Sequence, residues 1–130
     1  MTRINCVPVE QMHTKQLHGE YVELPRVFVH VQKRIRDGNP PTDIPQAYTM
    51  GKGHVTFFFD KLWYLYERYT AICVELEKRG VKLRPRNLTK EFVEIPSKWW
   101  GQWEPSDADQ TINWARINDR LKSMQERGIA

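Results

Sequence analysis

The sequence lacks the residue patterns of several kinds of site. Its two cysteines, Cys6 and Cys73, lie far apart and outside any CxxC motif, so a disulfide framework and a structural zinc site find no support. The four histidines show no HExxH or other paired spacing, which predicts that no metal is bound. The stretch GKGH at 51–54 is too short for a GxxxxGK[ST] phosphate loop and is interpreted as a turn. We therefore expect no cofactor.

Long apolar runs and repeats are also missing. Charged residues interrupt residues 1–16, so neither a signal peptide nor a membrane span is predicted, and we expect a cytoplasmic protein. The chain contains no internal repeat, low-complexity segment or Ser/Gly linker. At 130 residues it has the length of one domain, which we expect to span residues 1–130.

Basic residues are in modest excess. The 20 lysines and arginines against 16 acidic residues give a net charge of +4, which favours an anionic partner. An excess of this size is also found in proteins that bind no anion. Charge alone therefore leaves binding to nucleic acid open.

Apolar residues at steps of three and four predict three helices. The stripe of the first helix should face the core; it consists of Leu17, Tyr21, Leu24, Phe28, Val31 and Ile35. The second helix carries Phe58, Leu62, Leu65, Tyr69, Ile72 and Leu76, and the third carries Trp114, Ile117, Leu121 and Met124.

Capping and stop residues set the expected ends of these helices. Gly38 and the prolines that follow end the first helix near Asp37, and Pro25 predicts a kink near Tyr21 to Val22. Thr56 is the expected N-cap of the second helix, which should stop at the KRG of 78–80. Ser106 and Asp109 match a capping box at the start of the third.

The segment between the second and third helices has three prolines and neither helical nor strand periodicity. We interpret it as an irregular crossover packed by Trp99, Trp100 and Trp103, for which base stacking is the functional alternative. The predicted fold class is all-α, a single compact domain of three main helices with long irregular connections.

Two carboxylates lie beside the apolar stripe of the first helix. At about 100° per residue, Glu20 falls about 60° from Leu17 and Glu23 about 120° away. Arg26, His30 and Lys33 continue the same side, which forms a mixed edge of carboxylates and cations. In isolation an ordinary solvated face held by ion pairs explains this edge.

Several motifs together resemble the phage pyrimidine-dimer DNA glycosylase/AP lyase family. They are MTRIN at the start, EYxELPRVF at 20–28, GxGHVTFFxDKL at 51–62, KRG at 78–80, IP at 95–96 and PxxAxxxIxxAR at 105–116. The similarity runs in order along nearly the whole chain. It implies duplex DNA with UV lesions as the partner, a monomer without membrane or cofactor, and, if phage-encoded, a location in the host cytoplasm.

The resemblance also implies roles for individual residues. Removal of Met1 would leave Thr2 with a free α-amino nucleophile, and Glu23 would be the essential carboxylate. Arg3 and Arg26 would bind phosphates flanking the lesion. By matching position, Arg84, Arg116 and Arg120 would make further contacts to the DNA backbone, and the basic surface adds Lys33 as a plausible phosphate partner. Val22 stands where family members usually carry an arginine.

The chemistry of an α-amino group suits this role. Its pKa near ~7.8, against ~10.4 for lysine, leaves roughly a quarter of it unprotonated at neutral pH. An amine can attack C1′ of a deoxyribose and form a Schiff base, which prepares β-elimination. Glu23 could stabilise the oxocarbenium-like sugar and then move protons. Glu20 is the weaker candidate, since an ion pair with Arg3 or Arg26 would equally explain it.

Two other functions fit the same residues. In one, the protein is a noncatalytic helical DNA-binding protein, and Glu23 is an ion-pair partner. In the other, it is a lyase for another damaged base.

Overall fold

Five α-helices form the framework of residues 2–128, the part of the chain that this computed structural model describes. The described part contains no β-strand, which confirms the all-α prediction. None of its helices is long and apolar enough to span a bilayer. In chain order the helices are α1 (Thr14–Glu23), α2 (Pro25–Arg36), α3 (Leu62–Lys78), α4 (Leu88–Glu91) and α5 (Asp107–Glu126).

The predicted first helix is present as α1 and α2, separated at Leu24. The break lies there and not at Tyr21 to Val22, because the Leu24 N–H still donates to the Glu20 carbonyl at 2.8 Å. Pro25 is the first residue without a donor, and it takes the opening position of α2. At the other end, Asp37 caps α2 and Gly38 has a φ of 73°, as the stop signal predicted.

The predicted second helix starts later than its capping signal indicated. Thr56 is not its N-cap: residues Thr56–Phe58 form a 3-10 turn, and the Thr56 hydroxyl donates to the Gly53 carbonyl at 3.1 Å. α3 begins only at Leu62, after this buried turn has placed Phe57 and Phe58 in the core. Its end is as predicted, with Arg79 as C-cap and Gly80 at a φ of 88°.

The capping box of the third predicted helix is formed. The Asp109 N–H donates to Ser106 Oγ at 3.1 Å, and the Ser106 N–H donates to Asp109 Oδ2 at 2.9 Å. The crossover before it is mostly irregular but contains α4 and a 3-10 turn at Ser97–Trp99. This crossover is fastened to the start of α3, because the Gly101 N–H donates to the Asp60 carbonyl at 3.1 Å.

One core unites these elements. Leu17, Leu24 and Phe28 of the predicted stripe are fully buried. Trp99 is buried, and the Trp103 ring lies 4.9 Å from that of Tyr64, which supports packing over base stacking for these tryptophans. The core also contains the N-terminal segment, defined here as residues 4–7, which runs between the helices.

Candidate active site

The N-terminal segment belongs to no helix and pairs with no strand within the described residues, so its backbone polar groups depend on side chains. The Ile4 N–H donates to His54 Nε2 at 2.8 Å, and the Ile4 carbonyl accepts from Tyr48 Oη at 3.2 Å. The carbonyl of Asn5 accepts from Tyr64 Oη at 3.3 Å. Because buried backbone groups cost free energy when unpaired, each of these side chains helps to fix the segment.

Glu20 joins the same segment to α3. Its carboxylate receives Arg68 Nε at 2.9 Å and Arg68 Nη2 at 3.1 Å, and it also accepts Asn5 Nδ2 at 2.8 Å. Burial opposes the positive charge of Arg68, but the Glu20 carboxylate outweighs it and raises the pKa of the guanidinium. The predicted ion pair of Glu20 therefore exists with a different partner. Arg68 takes the place expected for Arg3 or Arg26, because Glu20 turns inward and is 2% exposed.

Asn113 of α5 completes this support. Its amide oxygen accepts from the Cys6 N–H at 2.7 Å, and its Nδ2 donates to Asn5 Oδ1 at 2.8 Å. Arg68 also donates to the Val7 carbonyl. Side chains from α1, α3, α5 and the turn before Thr56 thus hold residues 4–7, which fixes where the preceding Arg3 and Thr2 leave the core.

A cleft of about 690 Å³ opens where the N-terminal segment meets α1 and α5. Asn5 of the N-terminal segment and Arg3, which directly precedes the segment, line one side of it. Glu23 and Arg26 line it from the helices on either side of Pro25, and Arg120 lines it from α5. The other residues of its wall are Lys15, Gln16, Gly19, Glu20, Val22, Ile117, Met124 and Arg127. We call this space the α1/α5 cleft.

Glu23 lines the same cleft as Glu20 but is more exposed. Its side chain keeps 25% of its exposure, and Oε2 lies 3.8 Å from Arg26 Nη1, beyond ordinary hydrogen-bond distance. A carboxylate in this state is accessible to a substrate. The simpler explanation, an ordinary solvated helix face held by ion pairs, therefore accounts for Glu23 only in part.

The pKa of Arg3 reflects the charges around the cleft. Partial burial lowers the pKa of its guanidinium, and the positive charges of Arg116 and Arg120 lower it further, while Glu23 acts in the opposite direction. The charges of Arg3, Arg116 and Arg120 therefore act on one another near the Glu23 carboxylate. Such a cluster favours a polyanion that can approach it.

The predicted DNA-binding residues fall into two groups. Arg3, Arg26 and Arg120 line the cleft, and Arg116 is near enough to shift the pKa of Arg3. Lys33 lies outside it and bonds to Asp37 at 2.7 Å. Arg84 is also outside; it is exposed, and its backbone N–H donates to Tyr21 Oη at 3.1 Å.

Thr2, the predicted nucleophile, is not among the residues that line the α1/α5 cleft. Thr2 directly precedes Arg3 and is half-buried. The fate of Met1 lies outside the described residues. No group of His, Cys, Asp and Glu side chains suited to a metal ion occurs within residues 2–128.

Sequence reasoning missed part of the wall. Arg127 follows Arg120 by seven residues, about two helical turns, so helical spacing alone could have placed both on one face. Asn5 and Gln16 left no comparable signal, because their positions depend on distant partners such as Asn113 and the Ile117 carbonyl. Val22 contributes an apolar side chain that is 49% exposed in the same cleft.

A comparison with known families identifies the chain. The model of the family described as pyrimidine dimer DNA glycosylase matches residues 1–89. This protein belongs to that family. The match includes the N-terminal segment, α1, α2 and α3, and with them Glu23; α5 lies beyond it. Membership confirms the resemblance and makes the protein a DNA repair glycosylase for pyrimidine dimers.

Proposed function

We propose that this pyrimidine dimer glycosylase removes its base by attack of the Thr2 α-amine and then nicks the strand as an AP lyase. The observation that carries the proposal is the α1/α5 cleft, where a fixed N-terminal segment brings Arg3 beside Glu23. Because Thr2 directly precedes Arg3 in the chain, the proposal places its amine near that carboxylate. Removal of Met1 is required, because only a free amine has the needed lone pair.

The proposed reaction has three steps: loss of the base, opening of the sugar and β-elimination. The amine nitrogen attacks C1′ as the glycosidic bond breaks, and the base leaves with the electron pair and takes up a proton. Opening of the sugar gives an imine between the Thr2 nitrogen and C1′. Loss of a proton from C2′ then expels the 3′ phosphate by β-elimination. Glu23 stabilises the positive sugar in the first step and transfers protons in the later ones.

The cations position the DNA. Arg3, Arg26 and Arg120 are proposed to bind phosphates near the lesion, since they share the cleft with Glu23. Arg116 acts beside them, and Lys33 and Arg84 extend the contact along the duplex. A lesion inside a duplex must be extruded before an amine can reach its sugar, and a damaged pair makes this less costly by a few kcal/mol.

The remaining parts of the proposal concern the chain as a whole. We propose that residues 1–130 form one domain and act as a monomer without a metal or cofactor. Val22 bears on the choice of lesion, because an apolar side chain occupies a place usually held by arginine. Comparison of dimer, abasic and oxidised-base duplexes tests that choice.

Borohydride trapping tests the mechanism. Incubation with UV-irradiated or abasic duplex DNA, with borohydride and EDTA present, should give a covalent adduct that maps to Thr2. The intact mass of the protein should lack Met1. Absence of an adduct would contradict attack by an amine, and full nicking by protein that retains Met1 would contradict the role of Thr2.

A further inference from the structure

His54 touches the N-terminal segment at its outermost buried residue. It is 5% exposed, and its Nε2 accepts the Ile4 N–H at 2.8 Å. Ile4 is two residues from Thr2, so at most ~7 Å of chain separates this contact from the proposed nucleophile. Among the hydrogen bonds that the described backbone N–H groups of the segment donate, this one lies nearest to Thr2 along the chain.

The bonding pattern requires one form of the imidazole. His54 Nδ1 lies 2.7 Å from the Thr49 carbonyl, which can only accept, so Nδ1 carries the proton and Nε2 offers a lone pair to Ile4. A protonated ring would direct a second N–H at the Ile4 N–H. The hydrogen bond from the Ile4 N–H to His54 therefore forms only when His54 is neutral.

The surroundings maintain this neutral form. Burial lowers the pKa of His54, and the cations Arg3 and Arg116 act in the same direction, while the Thr49 carbonyl and the Glu20 carboxylate oppose them. The remaining neighbours are aromatic: Tyr48 and Phe58 meet the ring edge-on, with centroids 5.6 Å and 5.7 Å away. Such a pocket would accept a phenyl ring, so packing alone does not explain the two ring nitrogens.

We propose that His54 is a positioning residue, which acts through the Ile4 N–H to hold the Thr2 amine at the α1/α5 cleft. This inference rests on the proposed function. Without the His54 contact the two residues before Ile4 gain freedom, and the amine spends less time in line with the sugar. Positioning errors of about 1 Å lower reaction rates by up to about 100-fold.

Three variants test the proposal: His54→Phe removes the acceptor, His54→Gln keeps an acceptor of similar reach that cannot titrate, and His18→Gln changes an exposed histidine of α1. Single-turnover borohydride trapping on abasic duplex DNA gives the rate, and titration of the same DNA gives Kd. For His54→Phe we expect the trapping rate to fall by about 10- to 100-fold with Kd unchanged. His54→Gln should recover most of the rate above pH 7, and His18→Gln should match the wild-type protein.

A pH series supplies a readout that loss of structure would not give. The ratio of the wild-type rate to the His54→Gln rate cancels the titration of the amine, which both proteins share. It should fall as the pH drops below the ordinary histidine pKa of 6.5, because only the wild type loses its acceptor by protonation. This ratio decides the question if His54→Phe does not fold.

The possible failures are distinguishable. Lack of an adduct with the wild-type protein overturns the proposed function and this inference with it. If the wild-type protein is trapped, then equal trapping rates of folded His54→Phe and wild type, or a ratio that stays constant down to the lowest pH at which both proteins remain folded, overturns this inference alone.

Discussion

At the scale of the residue, two carboxylates one helical turn apart have opposite surroundings. Glu20 is buried and receives donors from Arg68 and Asn5, whereas Glu23 faces the α1/α5 cleft with 25% of its side chain exposed. A buried carboxylate whose oxygens are occupied has no site left for a substrate. This difference in surroundings supports a structural role for Glu20 and the catalytic role that we propose for Glu23.

Substitution of Glu23 tests that assignment. Glu23→Gln keeps the size of the side chain and removes its charge, so the stabilisation of the positive sugar and the proton transfers are lost. We expect nicking of dimer-containing duplex to fall by about 100-fold or more, with the Kd for that DNA little changed. Glu77→Gln, an exposed change on α3, is the control. Nicking by Glu23→Gln at the rate of the control would transfer the catalytic role elsewhere.

The Arg68–Glu20 pair yields a stability prediction. Arg68→Met removes the guanidinium and leaves a buried carboxylate with only Asn5 as donor, which should cost about 3–5 kcal/mol in the free energy of unfolding. Arg36 also bonds a carboxylate, that of Glu94 at 2.8 Å, but both side chains are more than 60% exposed. Arg36→Met should therefore cost at most about 1 kcal/mol. Urea unfolding measures both, and similar losses would contradict the importance of burial.

At the scale of the element, local sequence patterns predicted the helices but not the contacts that bury the N-terminal segment. The apolar stripe around Leu17 and the stop at Gly38 follow from local spacing and backbone preference, which a sequence displays directly. The burial of residues 4–7 depends on Glu20, His54 and Asn113, which lie up to 108 residues away along the chain. No periodic pattern in the sequence predicts hydrogen bonds between residues so far apart. The late start of α3 was missed for the same reason, because Thr56 serves a turn that buries Phe57 and Phe58.

Two glycines in different elements should respond oppositely to alanine. A Cβ at Gly19, inside α1, meets no atom within 4 Å, so Gly19→Ala should stabilise the protein by about 0.5–1 kcal/mol through helix propensity. A Cβ at Gly101 would lie 2.4 Å from the Asp60 carbonyl oxygen, which is fixed backbone. Gly101→Ala should therefore destabilise by about 1–3 kcal/mol.

Thermal and urea unfolding of both variants check this pair. A Gly101→Ala protein as stable as wild type would mean that the crossover is not held against the start of α3 as described. A loss of stability in Gly19→Ala would show that the α1 face of the cleft tolerates no added methyl group.

At the scale of the whole molecule, the distribution of charge says more about the binding partner than the net charge does. A net charge of +4 left the partner open, whereas the structure concentrates Arg3, Arg26, Arg120 and Arg127 around one cleft. The family resemblance named Arg3 and Arg26 within quoted motifs and Arg120 by its matching position. Arg127 lies beyond every quoted motif, and only its helical spacing from Arg120 could have indicated that it shares the same face.

The salt dependence of DNA binding tests whether this cluster is the contact surface. Each phosphate neutralised by a cation adds about 0.9 to the slope of log Kd against log salt concentration for duplex DNA. Arg127→Ala and Arg120→Ala should each lower that slope by about this amount and weaken binding to dimer-containing and undamaged duplex alike, because a phosphate contact carries no sequence or lesion information. Arg36→Met, which removes an exposed cation outside the cleft, should leave the slope unchanged. If Arg36→Met changed the slope as much as Arg127→Ala, the DNA would be held by diffuse charge, and the α1/α5 cleft would lose its role as the binding surface.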